Sequence, residues 1–230
     1  MFDPPLDVGA ESATAVDWCD EARNLHCRVC DWEGEGTLIA KVTALAQHDL
    51  PLVRCPECLS IDILELPLDS SPTDASVDGY VEAGAGISTI AEALVLVDPA
   101  RVKRFLDVGC NYGFALDVGR KLFHWEVLGV EPSLSGTRGA AELALDIRNE
   151  YLTDRSDIGD NFDLILASEV VEHVPRPLEF LDALRKRSAP NGTVVLTTPA
   201  AEIISRESPL ADVLGAVSAG YHVFVASERG

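Results

Sequence analysis

The sequence predicts an α/β fold in which a doubly wound parallel sheet follows a small cysteine-rich module. Two observations lead to this fold class. Strand-like apolar runs alternate with helix-like segments from residue 104 onward, and two Cys-x-x-Cys pairs precede them. A chain of 230 residues that is 47% apolar is long enough for one mid-sized domain with a small appendage.

The charge balance limits the classes of function. The chain has 18 Lys and Arg against 38 Asp and Glu, a formal net charge of −20. An acidic surface repels phosphate backbones and anionic headgroups, which disfavours nucleic-acid and membrane partners. The sequence has neither an apolar run long enough to span a bilayer nor the pattern of a secretory signal. These features predict a cytoplasmic protein.

The cysteine-rich module contains two pairs, Cys27 with Cys30 and Cys55 with Cys58. A Cys-x-x-Cys turn brings two thiolates to one metal ion, and two such turns supply the tetrahedral set that Zn²⁺ prefers. Chance pairing and redox dithiols are the alternatives, but the closeness of the two pairs favours zinc. Four thiolates close the site, so we expect a structural zinc ion without a catalytic role.

Composition divides the chain into four predicted segments. Residues 1–20 form an acidic, loosely ordered N-terminus, and residues 21–66 form a zinc-ribbon-like module. Residues 67–79 have the Pro, Ser and Asp content of a linker. The main domain covers 80–230, and a helix over 80–99 leads into it.

Apolar periodicity from residue 104 predicts strands alternating with helices. The predicted strands are 105–108, 126–130, 147–151, 162–167 and 193–198. The predicted helices are 112–123, 134–145 and 177–187, the last with Pro177 in its first turn. Because crossovers between parallel strands are right-handed, these units give a sheet that is covered on both faces.

A glycine-containing turn follows the first of these strands. Asp107 lies before it, and Gly109 and Gly113 let the backbone approach a ligand at the carboxyl edge of the sheet. The spacing is D-x-G-x-x-x-G, with Asn111 where another glycine is often found, and differs from the G-x-G-x-x-G of dinucleotide sites. Glu131 ends the next strand, where a carboxylate accepts hydrogen bonds from ribose hydroxyls. Both NAD and S-adenosylmethionine carry such a ribose.

Together, these segments resemble the class I S-adenosylmethionine-dependent methyltransferase family. The resemblance covers residues 105–199, including Val130-Glu131-Pro132-Ser133, the segment 161–174 and Ala189-Pro190-Asn191-Gly192-Thr193. It implies a Rossmann-like sheet, a methionine moiety on the glycine loop, a ribose on Glu131 and an adenine near the end of the third strand. The implied cofactor residues are Asp107, Gly109, Cys110, Asn111, Gly113, Glu131, Pro132, Glu150, Tyr151, Leu152 and Ser168.

The segment Glu169-x-x-Glu172-His173 follows the fourth predicted strand, where methyl acceptors lie in this family. In a helix, these three side chains share one face. The segment is similar to one in ubiquinone-type O-methyltransferases and small-RNA methyltransferases, which implies a divalent metal. A general base at His173 and a supporting role beside the cofactor are alternatives, and the supporting role is the expected one. His222 is a fourth candidate catalytic residue near the acceptor.

The cysteine module ahead of this core resembles that of sugar-modifying methyltransferases in polysaccharide or natural-product pathways. It implies a small-molecule or glycan-type acceptor. The C-terminal part departs from the family, because residues 221–230 resemble the lead-in to a helix that the family places before two further strands. We therefore expect a core that lacks its C-terminal strands, is part of a longer chain or is completed by a partner. A non-catalytic binding module and a nicotinamide-dependent oxidoreductase stay open as other functions.

Overall fold

The computed structural model describes residues 15–44, 48–65, 91 and 95–230. The predicted linker and most of the predicted helix over 80–99 lie outside these residues. The described residues form two compact units, each with its own five-stranded sheet. We call the unit that contains 95–170 and 179–197 the parallel unit. The other, the antiparallel unit, contains the described residues up to 65 together with 171–178 and 198–230.

The parallel unit has the predicted alternation of strands and helices. Its elements in chain order are β5 (Arg104–Val108), α1 (Phe114–Phe123), β6 (Glu126–Val130), α2 (Leu134–Leu143), β7 (Ile147–Arg148), β8 (Phe162–Ser168), α3 (Pro177–Arg187) and β9 (Ser188–Thr197). The first two residues of α3 belong to the antiparallel unit, and the rest of the helix belongs to the parallel unit. The strand order is β7-β6-β5-β8-β9, and every neighbouring pair is parallel. This arrangement confirms the predicted Rossmann-like fold class.

The central strands of this sheet are apolar on both faces, as expected of a covered parallel sheet. Phe105 and Leu106 in β5 and Leu164 and Ile165 in β8 are fully buried. The rings of Phe105 and Trp125 pack in a T-shaped arrangement, with 5.6 Å between their centroids. The buried strands therefore hold their carboxyl ends, where the candidate cofactor residues lie, in a fixed arrangement.

Two helices and one strand of the parallel unit begin or end at residues other than those predicted. The helix expected from residue 112 begins at Phe114, because Gly113 has the left-handed φ of 86°. The helix expected to reach residue 145 ends at Leu143, since Ala144 is left-handed at φ 52°. The strand expected over 147–151 stops at Arg148. No helix in the described part of the chain is both long enough and apolar enough to cross a bilayer.

The antiparallel unit is built on the cysteine-rich segment. Its strands are β1 (Ala15–His26), β2 (Glu33–Ala44), β3 (His48–Arg54), β4 (Ile61–Ile63) and β10 (Phe224–Val225), in that spatial order. All neighbouring pairs are antiparallel. Residues 15–18, at the end of the segment expected to be loosely ordered, pair with β2, and an irregularity in register follows between Trp18 and Glu21.

The C-terminal residues complete this second sheet and its core. Val225 in β10 pairs with Ile61, and the helix α4 (Leu210–Val217) buries Val213 and Val217 in the same apolar cluster. This cluster also contains Leu52. Residues 198–230 thus pack with the cysteine-rich segment, whereas composition alone places them in the main domain. The division of the chain into a cysteine-rich module, a linker and a main domain, which was drawn from composition, stays a prediction.

Candidate functional site

The glycine loop between β5 and α1 is a tight turn at the carboxyl edge of the parallel sheet. Its amide at Gly113 donates to the carbonyl oxygen of Cys110 at 2.8 Å. Gly109 has a φ of 71°, and a Cβ atom there would lie 2.4 Å from Cγ2 of Val170. Asn111 is also left-handed, at φ 47°. Close approach and positive φ thus explain the glycine at position 109.

Two carboxyl groups lie beside this loop. One oxygen of Glu131 accepts a hydrogen bond from the amide of Asn111 at 3.0 Å, and the other accepts from the amide of Ser133 at 2.9 Å. Both oxygens retain lone pairs for a further donor. Asp107 is 5% exposed, and its burial, followed by the charge of Glu131, raises the pKa of its carboxyl well above the ordinary value. The loop therefore presents closely spaced acidic groups.

The end of β7 is tied to the same acid. The side-chain amide of Asn149 donates to the carbonyl oxygens of Glu131 and Ser133, at 3.1 and 3.0 Å. Tyr151, a predicted adenine contact, is 66% exposed, and Leu134 in the first turn of α2 is 62% exposed. Sequence reasoning missed Asn149 and Leu134, although each lies within three residues of a predicted cofactor residue.

The other predicted cofactor residues differ in what they offer a ligand. Glu150 is exposed, and Leu152 and Pro132 are half-buried. Cys110 is buried in the core, where a Cβ atom added at Gly129 would lie 2.7 Å from its sulfur. The Cys110 thiol therefore packs in the core, and the backbone of Cys110 borders the glycine loop.

The carboxyl ends of β8 and β9 are joined by side chains. The hydroxyls of Ser168 and Thr197 lie 2.7 Å apart, and the Thr197 hydroxyl donates to Glu169 at 3.1 Å. Glu169 has a φ of 52° and is followed by a single 3-10 turn, Val171–His173. The expectation that positions 169, 172 and 173 share one helical face is therefore wrong. A left-handed residue at 169 prevents a continuous helix.

The antiparallel unit instead brings Glu172 and His173 together with His222. One ligand atom from each of the three lies within 4.8 Å of the others. Glu172 is fully buried and His222 is 6% exposed. His222 Nε2 lies 4.0 Å from a Glu172 oxygen, and the two imidazole rings meet edge to face at 4.7 Å. We call these residues the Glu–His–His cluster.

Backbone carbonyls orient both imidazoles. Nδ1 of His173 donates to the carbonyl oxygen of Tyr221 at 3.0 Å, and Nδ1 of His222 donates to that of Ala216 at 2.8 Å. Each neutral ring therefore carries its lone pair on Nε2. Burial is the main cause that lowers the pKa of His222 to about 4. His222 is thus uncharged at neutral pH.

The four predicted zinc ligands also converge. The sulfurs of Cys27 and Cys58 lie 3.6 Å apart, those of Cys30 and Cys55 lie 3.7 Å apart, and all four lie within 4.8 Å of one another. A tetrahedron with Zn–S bonds of about 2.3 Å has S–S edges of about 3.8 Å. The four thiols therefore fit a zinc ion.

The two cysteine turns have the same backbone design. The amide of Asp31 donates to the carbonyl of Cys27 at 2.9 Å, and the amide of Leu59 donates to that of Cys55 at 3.1 Å. Asp31 and Leu59 both have left-handed φ values, 61° and 65°. The chain therefore folds both pairs into one type of turn, and the four thiols that these turns bring together could hold a metal ion.

Comparisons with known proteins agree with the parallel unit. A family model described as "Methyltransferase domain" matches residues 83–230. The chain is 35% identical over 106 residues to a ubiquinone biosynthesis O-methyltransferase of Cereibacter sphaeroides, covering 44% of this chain and 42% of that protein. It is 37% identical over 101 residues to the protein of the same name from Nitrobacter winogradskyi, covering 41% and 38%. The chain thus spans less than half the length of these relatives.

Solved structures give a weaker likeness. One is S-adenosylmethionine-bound CalS10, an amino pentose methyltransferase from Micromonospora echinaspora, with a TM-score of 0.44 and 23% identity over 53% of this chain and 55% of that one. The family match covers more than half of the sequence. The chain belongs to the class I S-adenosylmethionine-dependent methyltransferase family.

Proposed function

We propose that this chain binds S-adenosylmethionine at the glycine loop and transfers its methyl group to a hydroxyl of a small-molecule or glycan-type acceptor. The observation that carries the proposal is the Glu131 carboxylate, which two backbone amides hold beside the loop. Glu131 is expected to accept hydrogen bonds from the ribose hydroxyls. The exposed side chains of Leu134 and Tyr151 are expected to flank the adenine.

The charge of the loop favours S-adenosylmethionine over a nicotinamide dinucleotide. S-adenosylmethionine carries a cationic sulfonium and an ammonium group, whereas a dinucleotide carries an anionic pyrophosphate. Burial and, after it, repulsion by the Glu131 carboxylate raise the pKa of the Asp107 carboxyl. A cation bound there relieves this repulsion, and an anion adds to it.

When bound, the cofactor supplies an electrophilic methyl group that an acceptor attacks in line. Such a transfer depends mainly on positioning and on exclusion of water. The residues proposed to hold the cofactor are Asp107, Glu131 and the backbone of residues 109–113. Methyl transfer therefore needs few catalytic side chains once the cofactor and the acceptor are positioned.

The acceptor class rests on the relatives and on charge. The two relatives described above are named as O-methyltransferases of ubiquinone biosynthesis, which supports a hydroxyl acceptor. The formal net charge of −20 disfavours a polyanion such as a nucleic acid. An acceptor in polysaccharide or natural-product biosynthesis is consistent with both observations.

We also propose a divalent cation at the Glu–His–His cluster. Both imidazoles donate Nδ1–H to a carbonyl and keep Nε2 available, as metal-ligating histidines do. Sequence reasoning favoured a supporting role for Glu172 and His173, and the convergence of His222 changes that preference. A cation bound there would lower the pKa of a hydroxyl that coordinates it. Zinc at the four cysteines would be structural, because the thiolates close that site.

Calorimetric titration tests the cofactor. S-adenosylhomocysteine should bind, and NAD⁺ should not. Binding of NAD⁺ alone would overturn the proposal, and S-adenosylhomocysteine binding without turnover on any hydroxyl acceptor would support a non-catalytic module instead.

Chelation tests the cluster, with zinc analysis to verify that the cysteine site stays loaded. Turnover should fall in chelator and return with Mg²⁺, and Mn²⁺ should bind the wild type but not Glu172→Gln. Chelator-resistant turnover that rises with pH and is lost in His173→Ala would make His173 a general base.

A further inference from the structure

We infer that the cysteine-rich module positions the Glu–His–His cluster, and that Ser227 is the positioning residue that joins them. The inference rests on the proposed zinc site and on the proposed role of the cluster. Hydrogen bonds within the antiparallel unit connect the second cysteine turn, through β4 and the residues around β10, to Glu172 and His222.

The first connection joins the second cysteine turn to the C-terminal residues. The Ser227 hydroxyl donates to the carbonyl oxygen of Cys58, and the Ser227 amide donates to the hydroxyl of Ser60 at 3.1 Å. Ser227 is 7% exposed and Ser60 is fully buried. One hydrogen bond from Ser227 therefore joins the chain after β10 to a candidate zinc ligand, and a second joins it to the residue before β4.

The second connection joins β4 to the cluster through Val223. The amide of Ile63 donates to the Val223 carbonyl at 3.1 Å, and the Val223 amide donates to the Glu172 carbonyl at 2.8 Å. Val223 lies next to His222 in the chain. A displacement of β4 would therefore move the backbone of Glu172 and His222.

The third connection is the apolar core. Ala216, whose carbonyl orients His222, packs in one buried cluster with Ile61 and Val225. The tautomer of His222 thus depends on a helix that rests against β4. This contact gives the cysteine-rich module a second route to the same imidazole.

The strands that make these connections are too short to hold themselves in place. β4 has three residues and β10 has two, whereas strands usually have five or six. β4 begins three residues after Cys58, so a metal bound there would fix one end of the strand. In small metal-binding modules, the free energy of metal binding is free energy of folding. Loss of zinc should release β4, and with it the cluster.

Amide hydrogen exchange on the full chain tests the inference without an acceptor. After the cysteine zinc is removed by a chelator, exchange at Ile63 and Val223 should accelerate at least tenfold. Amides of β5 should keep their protection from exchange, and the affinity for S-adenosylhomocysteine should change less than twofold. Both expectations follow because β5 and the proposed cofactor residues belong to the parallel unit. Nitrogen spectra should show the Nδ1–H tautomer of His222 in the loaded chain and its loss after stripping.

A zinc-retaining variant separates positioning from unfolding. Ser227→Ala should keep its zinc and accelerate exchange at Val223 at least about fivefold. The substitution removes the hydrogen bond from the hydroxyl to the Cys58 carbonyl and the one that the hydroxyl accepts from the Arg229 amide. Ser227→Thr, which keeps the hydroxyl, should restore slow exchange. Thr43→Ala is the matched control, because it removes a hydrogen bond to Asp49 at the opposite end of the same sheet.

The outcomes distinguish the inference from the proposals on which it rests. Unchanged exchange at Val223 in zinc-free protein would overturn the inference, and so would equal effects of Ser227→Ala and Thr43→Ala. Failure of the zinc site would instead appear as absence of zinc from the wild type. Failure of the cofactor proposal would appear as no S-adenosylhomocysteine binding by zinc-loaded protein.

Discussion

The amide of Asn111 donates to a carboxylate oxygen of Glu131 at 3.0 Å, across two consecutive β–α units of the parallel sheet. The bond makes the glycine loop and the acid at the end of β6 one structural feature. Because Glu131 also accepts from Ser133, its orientation is set before a ligand arrives. Such preorganisation lowers the entropic cost of binding.

Removal of this acid should weaken cofactor binding. Glu131→Ala should lower the affinity for S-adenosylhomocysteine about 10- to 100-fold, since hydrogen bonds to a charged group contribute about 1.5–3 kcal/mol. Isothermal titration measures the change. Glu126→Gln, at the other end of the same strand and exposed, is the control and should bind like the wild type. Equal affinity in Glu131→Ala would mean that the acid does not meet the ribose.

The buried acid should make the stability of the ligand-free chain depend on pH. Burial and the charge of Glu131 raise the pKa of Asp107 in the folded state, so the folded chain holds a proton that the unfolded chain releases. The stability contributed by protonated Asp107 is full below the ordinary Asp pKa and is lost as pH rises toward the raised value. Asp107→Asn should flatten this part of the profile, as measured by urea unfolding across pH. A slope equal to that of the wild type would argue against a buried, protonated Asp107.

Two helical glycines should respond oppositely to alanine. A Cβ atom at Gly139 in α2 would lie 2.0 Å from the carbonyl oxygen of Tyr112 in the glycine loop. Gly139→Ala should therefore destabilise the chain by about 1–3 kcal/mol and weaken S-adenosylhomocysteine binding. The matched variant is Gly215→Ala in α4, where a Cβ atom meets nothing within 4 Å. It should stabilise the chain by about 0.5–1 kcal/mol. Thermal unfolding that ranks the variants in the reverse order would contradict this packing.

The cysteine cluster should bind about one zinc ion per chain. Cys55→Ser should release it and unfold β4 and β10 together, while S-adenosylhomocysteine still binds. Metal analysis of anaerobically prepared protein, together with proteolysis of the variant, measures both effects. Cys19→Ser should retain zinc, because the Cys19 thiol donates a hydrogen bond to the Leu38 carbonyl and lies outside the four-cysteine cluster. Wild-type protein without zinc would contradict the assignment.

Local patterns were sufficient to predict where the glycine loop and the cysteine turns lie. Gly109, Gly113 and Glu131 lie where strands end, and strand ends follow from short-range apolar periodicity. The Cys-x-x-Cys spacing likewise acts within one turn. These features depend on neighbouring residues and on rules for parallel sheets that hold across proteins.

Other features needed the tertiary structure. The pairing of β10 with β4 and the approach of His222 to Glu172 join residues far apart in sequence, and two- or three-residue strands leave no periodic signal. Glu169 does not join Glu172 and His173 on one helical face, because Glu169 itself has a left-handed backbone conformation. The spacing of these residues in the sequence does not reveal that conformation. The sequence by itself therefore determined the family, the position of the glycine loop at the carboxyl edge of the sheet and the four clustered cysteines. Long-range packing decided which sheet received the C-terminal residues and which side chains formed the Glu–His–His cluster, because such contacts are selected by the burial of the whole chain.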